Sequence, residues 1–473
     1  MIRFKNIRRV LAVFLSIISI LLVSQPELWA LDRMADQAIV RVRGNVNINS
    51  VIGDINGMPI DSINQSNTYL VTFPGTIPVD SAVNRLRPEN GVLHAQPNFI
   101  WTLPEVEQIS QSFPDENRPV FTMGISPIQY YDTALVYDIN SDTANTFSTG
   151  AGVVVAVIDN GIRADHPLFV NSLAGPGYDF VDADDDPSEV PGEVFGHGTF
   201  VAGIIKRIAP DCQILPIRAF DADGYGNSFT AAKAIYYALE HGADVINMSF
   251  SMNESNLVMG TVIQEVLRGG PVMAAASGND GLEMVTYPSG YSGVIAVSAI
   301  DTADYIADFS NFGYYLDVCA PGVNIYSSLA GEYEWGTWSG TSFSAAMVSG
   351  TAALVRQVKP DFNSKKVSKV LRLSANRYLD WGYIEGNEIH YGFGCVDALG
   401  AVNGAMTADD NFGEEAPNIL NVTDMIRFIY GDDTEVLPEN QVGDCNCSGQ
   451  INILDVTLLV NYIYRGGPEP MCK

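Results

Sequence analysis

Five short stretches of this chain are apolar without alternation, and they restrict its fold more than any other feature. They are Gly152-Val-Val-Val-Ala-Val-Ile158, Gln213 to Ile217, Asp244 to Met248, Pro271 to Ala276 and Val294 to Val297. A strand with one wet face alternates apolar and polar residues, whereas an unbroken apolar run marks a strand covered on both faces. Helical patterns over residues 229–241 and 257–267 separate several of the runs. Strand and helix taken in turn predict an α/β domain built on a doubly wound, mostly parallel sheet. It extends over residues 150–403, closing near Tyr391-Gly-Phe-Gly-Cys-Val-Asp397.

The rest of the 473 residues divides around that domain. In residues 1–30, Arg3, Lys5, Arg8 and Arg9 precede an apolar run from Val10 to Val23, then a polar break and Ala30. That order reads as a secretory signal peptide. The run is short for a membrane span, which needs ~20 apolar residues. The expected product is therefore secreted and extracellular. Leu28 stands where a cleavage site favours a small residue, which leaves an uncleaved, surface-associated anchor as the alternative. Residues 36–104 form a small α+β domain, with strands at 38–43 and 67–73 and a helix at 80–87. Pro114, Pro119 and Pro127 break residues 105–149 into a linker and lead-in segment. A glycine-containing acidic linker at 404–415 precedes a small α-helical domain, 416–473, in which Asn421-Val-Thr-Asp424 and Asn452-Ile-Leu-Asp455 each open an amphipathic helix. The net charge of −29 argues against nucleic acid, whose phosphates need clustered Lys and Arg. It suits cation binding or plain solubility equally.

The chemistry centres on Gly340-Thr-Ser-Phe-Ser-Ala-Ala-Met-Val-Ser-Gly350. Ser342 stands at the start of an apolar helix, where unpaired backbone N–H groups and the helix dipole can receive negative charge. A plain helix cap is the other reading. Three further groups sit in glycine-marked turns: Asp159 at the end of a buried strand, His197 in Gly196-His-Gly-Thr199, and Asn279 in Ser277-Gly-Asn-Asp-Gly281. Each alone could be structural. Together they supply an orienting carboxylate, a base, an oxyanion donor and a nucleophile, the set that acyl transfer by serine requires.

Val155-Ala-Val-Ile-Asp-Asn-Gly-Ile162, Gly196-His-Gly-Thr-Phe-Val-Ala-Gly203, Ala275-Ala-Ser-Gly-Asn279 and Gly340-Thr-Ser-Phe-Ser-Ala-Ala346 together resemble the motifs of subtilisin-like serine proteases, in the chain order Asp, His, Ser. The resemblance implies a subtilisin-like fold for 150–403 and a secreted serine endopeptidase. Asp159 would orient His197, His197 would act as general base and acid, Ser342 as nucleophile, and Asn279 as oxyanion donor. It also implies that 36–104 is a propeptide that folds the enzyme and plugs its cleft, so that partners are protein or peptide substrates and the chain's own propeptide. Ser249, Phe250 and Ser251 would form the substrate-binding edge, although the family's usual glycine is missing there; Ala276 and Gly278 would line an apolar primary pocket, and Ser277 between them would also bind substrate.

Two loops suggest structural calcium as the cofactor, with no organic cofactor. Asp179 to Pro187 packs five carboxylates together, and subtilases often hold calcium in this loop; Asp182, Asp184 and Asp186 are the candidates. Leu168 and Phe169 follow His166-Pro167 where the family's tighter calcium site has an aspartate, so that site is expected to be missing. The span Asp444 to Asp455 has the spacing of an EF-hand loop with Gly449 at its sixth position, and resembles a dockerin repeat. Asp444, Asn446, Ser448, Gln450 (through its carbonyl), Asn452 and Asp455 would be ligands, and a cohesin-like or cell-surface module the partner. Six cysteines allow 15 pairings, of which Cys447 with Cys472 would tie the tail. Two rival readings are a catalytically inactive surface-binding protein and an α/β-hydrolase esterase. The second lacks a Gly-x-Ser-x-Gly elbow, and its histidine would precede its serine.

Overall fold

The structure, a computed structural model, describes residues 33–106, 139–331, 334–379, 382–383 and 387–408. The expected signal peptide at 1–30, most of the linker at 105–149 and the whole of the tail at 416–473, with the expected calcium loop and the Cys447–Cys472 pairing, lie outside the described residues. Cys212, Cys319 and Cys395 are buried free thiols, the last two opposite each other in an isolated bridge.

The N-terminal domain runs β1 (Arg33–Val42), β2 (Met58–Ile63), β3 (Thr68–Thr72), α1 (Val79–Leu86) and β4 (Val92–Thr102). Then come β5 (Val154–Asp159), β6 (Tyr178–Asp179), α2 (His197–Ile208), β7 (Gln213–Arg218), β8 (Tyr225–Asn227), α3 (Ser228–Glu240), β9 (Val245–Met248), α4 (Leu257–Leu267), β10 (Val272–Ala276), β11 (Val294–Ile300), β12 (Val318–Pro321) and α5 (Thr341–Val358). Seven strands form a parallel sheet in the order β12-β11-β10-β9-β5-β7-β6. All five apolar runs of the sequence are strands of this sheet, and β9, β10 and β11 are buried at every position. No helix among the described residues is long and apolar enough to cross a membrane.

The order places the active region. From β5 the chain first adds β6 and β7 on one side, then β9 to β12 on the other. The carboxyl end of β5 is thus the point where the winding reverses, which is where open parallel sheets hold their ligands. Asp159 is the last residue of that strand. Helix α5 lies against the inner strands and against α2. It is buried continuously from Thr341 to Val355, as a helix without a wet face must be.

The N-terminal domain has its own core, made by Ala38, Val40, Val42, Val71, Val83 and Leu86. Successive side chains of a strand point to opposite faces. Ile39 on β1 therefore points away from that core and joins the core of the large domain. The same face of the small sheet meets the starts of α3 and α4. The Asn98 carboxamide accepts the Phe229 N–H at 3.1 Å, and that of Gln96 accepts the Val258 N–H at 3.2 Å. These are donors in the first turns of two helices, which have no partner within the helix. Beside them Arg41 pairs with Glu265 at 2.6 Å.

Candidate active site

His197 is the first residue of α2, entered through Gly196 at φ 98°. Gly198 follows because the helix start crosses the end of β5 so closely that a Cβ there would stand 2.0 Å from the Gly161 carbonyl oxygen. This crossing brings the His197 Nδ1 to 2.8 Å from Asp159 Oδ1, which also accepts the Asn160 N–H at 2.9 Å. Asn160 reinforces the turn, accepting the Gly198 N–H at 3.0 Å and donating to the Val194 carbonyl at 3.0 Å. Trp338 meets the imidazole edge-on at 5.5 Å between ring centroids, and Phe343 lies at 5.6 Å.

Ser342 is the second residue of α5 and fully buried. Asn279 lies just beyond β10, and its amide has one possible orientation. Its Oδ1 accepts the Thr341 N–H at 3.0 Å and the Thr341 hydroxyl at 2.8 Å, which leaves Nδ2 as the donor on the side away from Thr341. Both the helix that carries Ser342 and the amide are therefore anchored at Thr341.

A residue that sequence reasoning missed joins these groups. Glu105, fully buried, places Oε2 2.9 Å from His197 Nε2 and accepts the Ser342 hydroxyl on the same oxygen at 2.9 Å. Its Oε1 accepts from Asn279 Nδ2 at 3.2 Å. One carboxylate thus touches three of the four predicted groups, and the fourth, Asp159, touches His197. The structure brings all four into one site.

Electrostatics follow from burial and charge. Burial raises the Asp159 pKa, against the pull of His197. For His197, burial alone would lower the pKa, but the carboxylates of Asp159 and Glu105 outweigh it and hold the imidazole up to about 10. Behind the imidazole, Glu189 accepts the Thr199 N–H and hydroxyl at 2.6 Å each, and the Gly196 N–H on its other oxygen. Burial pushes its carboxyl up to about 7 while those hydrogen bonds oppose the rise. Nothing in the sequence marked Glu189 beyond its place eight residues before His197.

The residues predicted as a substrate edge lie beside the end of β4. Ser251 exchanges two backbone hydrogen bonds with Thr102, at 3.2 and 2.9 Å, so pairing survives without the family's glycine. Phe250 is buried against Trp101, whose indole N–H donates to Ser228 Oγ at 2.7 Å. The Ser249 hydroxyl donates to the Ser342 carbonyl at 3.1 Å. The opposite wall was missed: β8 pairs antiparallel with β4, and Leu103 donates to the Gly224 carbonyl at 3.0 Å. Ala276, Ser277 and Gly278 lead from β10 to Asn279. The Ser277 hydroxyl is committed to the Asn311 carbonyl at 3.0 Å, and the Gly278 N–H donates to Thr341 Oγ1 at 3.2 Å.

The carboxylates of the acidic loop have partners within the protein. Asp182 pairs with Arg218 at 2.5 Å, and Asp179 pairs with the same guanidinium. Asp184 accepts the Asp186 N–H at 2.9 Å, and Asp186 accepts the Ser188 hydroxyl at 2.6 Å. Arginine thus supplies the positive charge that a cation would bring. Among the described residues no three His, Cys, Asp or Glu side chains come together to hold a metal.

The chain is similar to known proteins over much of its length. The model of the Subtilase family matches residues 150–400. The Thermophilic serine proteinase of Bacillus sp. (strain AK1) is 31% identical over 338 residues, covering 68% of this chain and 76% of that protein. Subtilisin NAT of Bacillus subtilis subsp. natto is 34% identical over 266 residues, covering 54% of this chain and 66% of its own. Among solved structures, fervidolysin from Fervidobacterium pennivorans, a keratinolytic enzyme related to subtilisin, superimposes with a TM-score of 0.66 at 22% identity. That match covers 80% of this chain and 62% of fervidolysin, and it is a likeness of fold. The chain spans just under two thirds of the latter two proteins.

Proposed function

Because the chain belongs to the subtilase family, and is accordingly a serine endopeptidase, we propose that it hydrolyses peptide bonds through an acyl-enzyme on Ser342. A substrate strand lies between β8 and the Ser249–Ser251 edge. His197 Nε2 takes the Ser342 proton as the hydroxyl oxygen attacks the carbonyl carbon. Asp159 holds the imidazole by its Nδ1–H and stabilises the imidazolium that forms. The oxyanion is received by Asn279 Nδ2 and the Ser342 backbone N–H. The imidazolium then protonates the leaving amine, and water repeats the sequence to free Ser342. The observation that carries this reading is the convergence of Ser342, His197 and Asn279 on one carboxylate.

In the same reading residues 36–104 are an inhibitory propeptide, since their last strand fills the groove that a substrate strand would use. Residues 1–30 export the protein. The loop from Asp444 to Asp455 binds calcium through Asp444, Asn446, Ser448, Gln450, Asn452 and Asp455, and docks the enzyme on a cohesin-like or surface module. Catalysis is tested on matured protein with casein and a serine-directed fluorophosphonate. Wild type should digest and be labelled, and Ser342→Ala should do neither. Casein digestion by the alanine variant would refute the assignment.

A further inference from the structure

The strand in the groove is substrate-like only as far as Leu103. Thr102 is bonded to Ser251 on one side and paired with Tyr225 on the other, and Leu103 reaches Gly224. A substrate would continue extended and present its next carbonyl to Ser342. Here the backbone turns instead: residues 104–106 form a helical turn, closed by the Val106 N–H on the Leu103 carbonyl at 3.1 Å. What enters the site is a side chain. The Glu105 carboxylate meets the oxyanion donor Asn279 on one oxygen, and the nucleophile and base on the other. Gly340 makes the clearance, for a Cβ there would stand 2.0 Å from Glu105 Oε1.

A fully buried carboxylate is costly unless charge and hydrogen bonds compensate it. The catalytic groups compensate this one. A carboxylate also offers the nucleophile no leaving group, so the enzyme cannot consume what blocks it. We propose that Glu105 is a side-chain plug: its carboxylate occupies the oxyanion and nucleophile positions as a non-cleavable stand-in and keeps the unprocessed chain latent. This rests on the reading of Ser342, His197 and Asn279 as the catalytic groups and of 36–104 as the inhibitory segment.

The test uses the full-length chain, freshly purified, with labelling of Ser342 by diisopropyl fluorophosphate followed in the unprocessed band by intact mass. Glu105→Ala should label faster than wild type by roughly tenfold or more, equivalent to at least about 1.4 kcal/mol of lost occlusion. Glu105→Gln, which keeps shape but loses charge, should fall between them. It also decides the matter if the alanine variant does not fold. Asp80→Ala, an exposed change in the same domain that breaks only the ion pair to Arg33, should label at the wild-type rate. Equal rates in wild type, Glu105→Ala and Glu105→Gln would overturn the plug alone. No labelling of any variant, even after an added protease has removed the N-terminal domain, would overturn the catalytic reading and the plug together.

Discussion

If Thr341 fixes the amide of Asn279, the two residues should act on catalysis as one unit. Asn279→Ala removes the donor. Loss of one oxyanion donor costs about 10²–10³ in kcat, or roughly 2.7–4 kcal/mol, a magnitude established in a subtilisin and carried over to this relative. Thr341→Val removes the hydroxyl that donates to Asn279 Oδ1 at 2.8 Å and accepts the Gly278 N–H at 3.2 Å, but leaves the backbone N–H at 3.0 Å. One of the amide's two anchors is lost, and a net hydrogen bond of about 0.5–1.5 kcal/mol predicts a loss of roughly two- to tenfold in kcat. With Asn279 already alanine, Thr341 has nothing left to orient, so the double variant should be hardly worse than Asn279→Ala. The coupling energy of that cycle should equal most of the single effect of Thr341→Val. Kinetics of the matured protein on a chromogenic peptide anilide give the answer, with KM nearly unchanged in all three variants. Multiplicative losses in the double variant, or an effect confined to KM, would refute the orienting role.

Other outcomes follow from the same site. The imidazole of His197 is held charged by two carboxylates against the opposing effect of burial, with a pKa near 10 in place of 6.5. A raised value means that this contribution is complete below about pH 6.5 and is lost as pH rises through 10, at about 1.4 kcal/mol per unit between them. The full-length Ser342→Ala protein should therefore melt at progressively lower temperature from pH 7 to 10. Adding Glu105→Gln should flatten that decline, and parallel curves would count against it. Glu189→Gln puts an amide N–H against the N–H of Gly196 or Thr199, costing about 1–3 kcal/mol in a urea melt. Because those N–H groups flank His197, kcat should fall more than KM rises, and a change in KM alone would contradict this. Calcium should protect residues 416–473 from an added protease while excess EGTA exposes them. Since Arg218 fills the acidic loop, the melting of the peptidase domain should be insensitive to EGTA.

The parallel sheet was legible because burial on both faces leaves an unbroken apolar run, and every such run became a strand. Strands that left no such mark are short and lie at sheet edges, among them Tyr178–Asp179, Tyr225–Asn227 and Val318–Pro321. The second of these is the wall on which β4 pairs, so one side of the groove was invisible. The four catalytic candidates were legible through their glycine turns, since close crossings such as Gly198 on Gly161 leave a residue signature. The acidic loop shows the opposite case. Its carboxylates are counted easily, but the arginine that neutralises them comes from β7, and only the fold brings Arg218 to Asp179 and Asp182. Glu105 carried no signal at all. Within Leu103-Pro-Glu-Val106 it is an ordinary charged residue at the start of a proline-broken stretch, and its meaning is entirely tertiary.

If Glu105 is the plug proposed above, that tertiary meaning changes how latency works in this chain. A peptide strand lying in the groove would block by occupancy alone and leave His197 free to act as a base. A carboxylate 2.9 Å from Nε2 does more, because it favours the imidazolium, which has no lone pair to accept the Ser342 proton. The hydroxyl meanwhile donates to Glu105 in place of the base. Nucleophile and base are therefore both silenced by one ion. When the segment carrying Glu105 leaves, one of the two negative charges holding the imidazole protonated leaves with it. The His197 pKa then falls toward the range in which a general base operates near neutral pH. Opening the groove and arming the base are the same event, so partial exposure of the site with Glu105 still in place yields no partial activity.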